Sequence, residues 1–124
     1  MSYRPLPDFL TVKNSMIDGL GLFATQSIES NIYLGMTHIF NDNFEDNYIR
    51  TPVAGFYNHS DNPNILSITT DKLLDIKAGT VLSNDEIKIL QTINANKYKY
   101  LITIKYINRG DELCSKYNLY TPTR

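Results

Sequence analysis

The 124 residues read as a mainly β chain, and three observations point there. Short runs of β-branched and aromatic residues recur between turn signals. Nine tyrosines and no tryptophan supply a residue type suited to pleated surfaces. No segment carries a convincing i, i+3, i+4, i+7 apolar spacing, so helices are expected only as short turns.

The expected strands are 10–13, 22–25, 32–39, 65–69, 73–76, 86–92 and 98–107. In the first, "FLTVKN" alternates around β-branched residues. The last is the clearest. Tyr98, Tyr100, Ile102, Ile104 and Tyr106 fall on one face, and Lys97, Lys99, Thr103 and Lys105 on the other, the mark of a half-buried strand. "NDNFEDNYIR" and "TPVAGFY" have room for single helical turns, the second with Pro52 near a permitted helix start.

Length sets one domain over 1–124, large enough to bury a core. Twelve basic and thirteen acidic side chains give a net charge of −1 with no run of either sign, which argues against a phosphate-tracking surface and hence direct nucleic-acid binding. Apolar runs fall short of membrane-spanning length, and the first 20 residues lack a charged start followed by an apolar stretch. A soluble intracellular protein without a membrane partner is the expectation. The single cysteine, Cys114, allows neither an internal disulfide nor a Cys-rich zinc cluster and reads as a small buried apolar residue. With two histidines, His38 and His59, no metal site is expected.

Three stretches carry chemistry. "GLGLFA", 19–24, fits G-x-G-x-x-A, but no helical pattern follows it, so the dipole and free N–H groups that a dinucleotide phosphate needs are missing. "GFYNHSDNPN", 55–64, has the Asn, Asp, Ser and Pro of a turn. Turn chemistry does not account for Asn58 and His59 directly after two aromatics. "INRGDELCSKYNLY", 107–120, leaves a strand through a Gly-Asp turn and ends on Tyr117 and Tyr120.

In this order and at these separations the three resemble the SET domain of protein lysine methyltransferases. The motifs are G-x-G-hydrophobic-F-A (Gly19, Gly21, Phe23, Ala24), F-x-N-H-S-x-x-P-N (Phe56, Asn58, His59, Ser60, Pro63, Asn64) and G-[DE]-E-L-x-x-x-Y (Gly110, Asp111, Glu112, Leu113, Tyr117). The compact chain is similar to the minimal SET proteins of viruses and bacteria. The resemblance implies several small β-sheets around a pseudoknot-like C-terminal crossing, with S-adenosyl-L-methionine on one face and a lysine channel on the other. It implies that Asp18, Leu20, Gly21, Asn58, His59 and Tyr117 bind the cofactor, and that Tyr117 is catalytic. Tyr57, Tyr120 and Tyr48 are candidate channel walls. The implied partner is a lysine-bearing protein or peptide, such as a histone or other basic protein, and a homodimer is compatible with the family.

The chain departs from the family pattern in places. Gly55 stands where Arg is common before the Phe of the middle motif, Asn31 where a turn glycine is common, and Ser67 where some relatives supply a channel tyrosine. The 71–97 segment is expected to hold an extra β-hairpin. Two alternatives stand beside the enzyme: a non-catalytic SET-fold binding or regulatory module, and a hydrolase using Ser60 and His59. Adjacent residues aim poorly at each other, which disfavours the hydrolase.

Overall fold

The computed structural model describes residues 6–41, 43, 48–51, 57–92 and 97–116. It is mainly β. Strand β1 (Leu10–Asn14) pairs antiparallel with β2 (Leu20–Ala24), Leu10 facing Ala24 and Asn14 facing Leu20. The 15–19 bend between them is closed by the Ser15 N–H donating to the Gly19 carbonyl at 2.8 Å.

A six-stranded mixed sheet makes the centre. Its members are β3 (Tyr33–Phe40), β4 (Tyr48–Arg50), β5 (Asn58–His59), β6 (Ile65–Thr70), β7 (Tyr98–Thr103) and β8 (Cys114–Ser115), in the spatial order β4-β3-β7-β6-β8-β5. The long antiparallel pairs β3–β7 and β6–β7 make β7 central, so its YKYLIT run is packed on both faces. Leu101 joins Leu10, Leu22, Leu34, Ile65 and Leu113 in a core under the β1–β2 hairpin. Tyr100 and Ile102 join Tyr33, Ile68, Leu82 and Leu90 in a second core on the opposite face. Burial on both sides replaces the half-buried alternation expected for 98–107. The strand also stops at Thr103; Ile104 and Tyr106 are exposed, and Ile107 returns to the first core through a bridge to Ile28.

The second core is closed by a helix, not by the extra hairpin expected over 71–97. Helix α1 (Asn84–Thr92) occupies the expected strand 86–92, and 73–76 is irregular. Its start is a reciprocal capping box. The Glu86 N–H donates to Ser83 Oγ at 3.0 Å, and the Ser83 N–H donates to Glu86 Oε1 at 2.9 Å. Those bonds satisfy two N–H groups that a strand would have had to pair elsewhere. Asn31 adopts φ 65° and its Nδ2 donates to Asn84 Oδ1 at 2.7 Å, so the residue that replaces a turn glycine also ties the chain before β3 to the helix start. Of the single turns expected near 41–50 and 51–57, 48–50 is instead strand β4, and 52–56 lies outside the described residues.

Strand β8 is inserted between two strands that are neighbours in sequence. It runs parallel to both β5 and β6, with Asn58 facing Cys114, His59 facing Ser115, and Ile65 also facing Ser115. The loop that joins β5 to β6 passes the inserted strand and bonds to it: the Ser60 N–H donates to the Ser115 carbonyl at 3.1 Å and the Asn64 N–H to the Cys114 carbonyl at 3.0 Å. Among the described residues no helix is long and apolar enough to cross a membrane.

Candidate functional site

The three motifs meet. The segment after Gly110 lies along β2, with the Ala24 N–H donating to the Asp111 carbonyl at 3.0 Å and the Leu113 N–H to the Leu22 carbonyl at 2.7 Å. Its other side carries β5 and the Asn-His pair. The C-terminal motif is therefore sandwiched between the glycine bend and the middle motif.

Asn64 locks this crossing with its side chain. Nδ2 donates to the Glu112 carbonyl and Oδ1 accepts from the Cys114 N–H, both at 2.9 Å, so one carboxamide imitates a short strand edge. Burial pushes the Cys114 thiol up, with the Glu112 charge adding to it, so Cys114 behaves as the small neutral core residue its type suggests.

Asn58 is the centre of the polar site. Its Nδ2 lies 2.7 Å from Glu112 Oε2 and 3.2 Å from Ser15 Oγ. The carbonyls of Asp18 and Leu20 are 3.3 and 3.5 Å away. The structure thus brings together Asp18, Leu20, Gly21 and Asn58 of the expected cofactor residues. His59 is next on β5, half-buried, with Nε2 3.3 Å from Asp61 Oδ1. The Ser60 hydroxyl accepts the Asn62 N–H at 3.0 Å, which is turn chemistry.

The two glycines of the bend differ in purpose. Gly19 has φ +48°, and a Cβ there would meet nothing within 4 Å, so its requirement is the left-handed backbone of the turn. Gly21 is different: a Cβ there would overlap the Glu112 carboxylate, its carboxyl carbon only 2.9 Å away. The room left by Gly21 is therefore taken by Glu112.

Tyr57 packs against the first core. Tyr48 begins β4, at the edge of the six-stranded sheet opposite β5. Tyr117 and Tyr120 lie outside the described residues. Ser15 and Glu112 were not anticipated as site residues, although Ser15 immediately precedes the bend and Glu112 belongs to the third motif. Among the described residues no group of three or more metal-binding side chains occurs. A separate cavity of about 280 Å³ lies against α1, lined by Leu74, Ile76, Leu82, Glu86 and Leu90 among others, and none of the motif residues borders it.

Among the described residues, the two-stranded sheet, the six-stranded mixed sheet with its inserted β8 and one short helix make a mainly β, SET-like fold. In structure the chain is similar to a candidate histone methyltransferase of Plasmodium falciparum, solved by crystallography, with a TM-score of 0.57 and 19% identity over 92% of this chain and 96% of that one. At that identity the likeness is one of fold. No family profile matches the chain, and no curated protein matches it in sequence.

Proposed function

We propose that the chain is a protein lysine N-methyltransferase that uses S-adenosyl-L-methionine. The observation that supports this is the convergence at Asn58, where the amide of the middle motif meets the Asp18 and Leu20 carbonyls of the bend and the Glu112 carboxylate of the C-terminal motif. The likeness of fold to a candidate histone methyltransferase points the same way.

The donor set suits such a cofactor. Backbone carbonyls at Asp18 and Leu20 are acceptors of the kind an amino-acid ammonium requires, and Asn58 and His59 offer further backbone and side-chain hydrogen bonds. When bound, S-adenosylmethionine supplies a methyl group already activated by its sulfonium. What remains for the chain is to orient a lysine amine in line and exclude water, and orientation of that kind is worth about 7–11 kcal/mol. Free lysine has a pKa of about 10.4, so only a few molecules in ten thousand are neutral at pH 7. An apolar channel disfavours the ammonium and promotes loss of its proton. Tyr117 suits the channel end: its ring tolerates a nearby cation and its hydroxyl can orient the amine. The substrate is a lysine in a flexible segment of a histone or other basic protein.

Incubation of histones, other basic proteins and the enzyme itself with isotope-labelled S-adenosylmethionine, followed by mass spectrometry, tests the reading. Label on a lysine is expected, and Tyr117→Phe should lose most of kcat while keeping the wild-type circular dichroism. Absence of micromolar cofactor binding by calorimetry, with peptide present, would instead identify a non-catalytic module of the same fold.

A further inference from the structure

Ser15 is the most heavily bonded side chain of the bend. Its one hydroxyl proton goes to Glu112, with the two carboxylate oxygens at 2.8 and 2.9 Å. Its oxygen accepts the Ile17 N–H at 2.9 Å and lies 3.4 Å from the Asp18 N and 3.2 Å from Asn58 Nδ2. The hydroxyl thus shapes the 15–19 bend and couples it to residues 43 and 97 positions away.

Glu112 decides the sense of this coupling. An ionised carboxylate only accepts, so Asn58 must turn Nδ2 toward it and Oδ1 away. The orientation of a carboxamide is otherwise open. Here a fixed charge selects it. Among the described residues Asn58 Oδ1 takes no hydrogen bond, so the brace turns Nδ2 to Glu112 and to the Asp18 and Leu20 carbonyls and leaves Oδ1 as the open acceptor. Gly21 is what admits the carboxylate to this position.

We infer that Ser15, acting through Glu112, is a positioning residue for cofactor capture: the pair holds Asn58 in one amide orientation, with Oδ1 open to a ligand, and holds the 15–19 bend against that amide. The inference rests on the methyltransferase reading for the identity of the ligand, but the brace itself exists without ligand and is measurable alone.

Two measurements decide it. The first uses the ligand-free protein, by amide hydrogen exchange and side-chain amide resonances in NMR. Ser15→Ala should speed exchange at Ile17 and at the Asn58 Nδ2 protons and shift the latter's resonances, and Ser15→Thr should restore both. Unchanged exchange and resonances in Ser15→Ala would overturn the brace. The second is calorimetric titration with S-adenosylhomocysteine. A hydrogen bond to a charged partner supports an expected weakening of about 10- to 100-fold for Ser15→Ala, with recovery in Ser15→Thr, measured at a temperature where circular dichroism shows both variants folded.

Combining Ser15→Ala with Glu112→Gln should bind no worse than the poorer single variant, because both remove one unit. Affinity equal to wild type in Ser15→Ala, or losses that multiply in the double variant, would overturn the positioning role. Ser15→Ala and Ser15→Thr suffice if Glu112→Gln does not fold. Wild-type protein that takes no S-adenosylhomocysteine would overturn both the methyltransferase reading and the cofactor role of Ser15, and the exchange data would still decide the brace.

Discussion

Tyr33 packs its ring against Tyr100 at a centroid distance of 5.7 Å, and burial, with a smaller contribution from Tyr100, pushes its phenol up to about 12. A raised phenol pKa means the folded chain favours the neutral form. Its contribution to stability is complete below the ordinary value of 10.0 and is lost as pH rises through about 12. Denaturant melts between pH 8 and 12 should fall by about 2 kcal/mol over that window, and Tyr33→Phe should flatten the fall. The sequence shows that tyrosines lie on a packed strand and that a buried hydroxyl needs a partner. Tyr100 meets that need by donating to the Lys72 carbonyl at 2.8 Å and accepting the Leu74 N–H at 2.9 Å. Neither partner is legible from the sequence, because 71–76 is irregular and comes back to β7 only in three dimensions. Gly21 teaches the same lesson: its motif is plain in the sequence, while the side chain that needs its space is 91 positions later, at Glu112.

Among the elements, α1 is concealed in the sequence by a strand-like pattern. In "EIKIL", Ile87 and Ile89 alternate with charged residues as in a strand, but Ile89 is 58% exposed while Leu90 is buried. One exposed isoleucine thus disguises a helical face as a period of two. The informative signal was Ser83 with Glu86, three residues apart. Ser83→Ala should cost about 1 kcal/mol in urea melts. The backbone hydrogen bond from Ser83, then its hydroxyl, holds the Glu86 carboxyl below the ordinary glutamate range. Folding therefore favours its ionised form, so the support for α1 is full above that range and disappears as pH falls through the lowered value. Glu86→Gln should remove that part of the acid-side slope. The longer strands are legible: β1, β3 and β6 fall within two residues of expectation, since their apolar runs face one core or the other, whereas β4, β5 and β8, of two or three residues, are too short to carry a pattern.

At the scale of the molecule, the meeting of the three motifs followed from their resemblance to a family and not from any local pattern. Local periodicity holds no information about pairs such as Asn58 with Cys114. The crossing can be tested at Asn64, whose carboxamide bonds both sides of Leu113. Asn64→Ala leaves a backbone carbonyl and an N–H of the crossing without these partners, and should cost about 2 kcal/mol in equilibrium denaturation. It should also weaken S-adenosylhomocysteine binding, because Glu112 sits on the loosened segment.

The insertion of β8 also sets an order of events in folding. Its neighbours β5 and β6 are synthesised some fifty residues earlier, yet their shared gap stays open until 114–115 emerge. Contacts of such long range are closed late and slowly. A nascent chain stalled before Glu112 would carry the bend and the Asn-His pair without the carboxylate and the β8 backbone that brace them, so the crossing is completed only when 112–115 take their place.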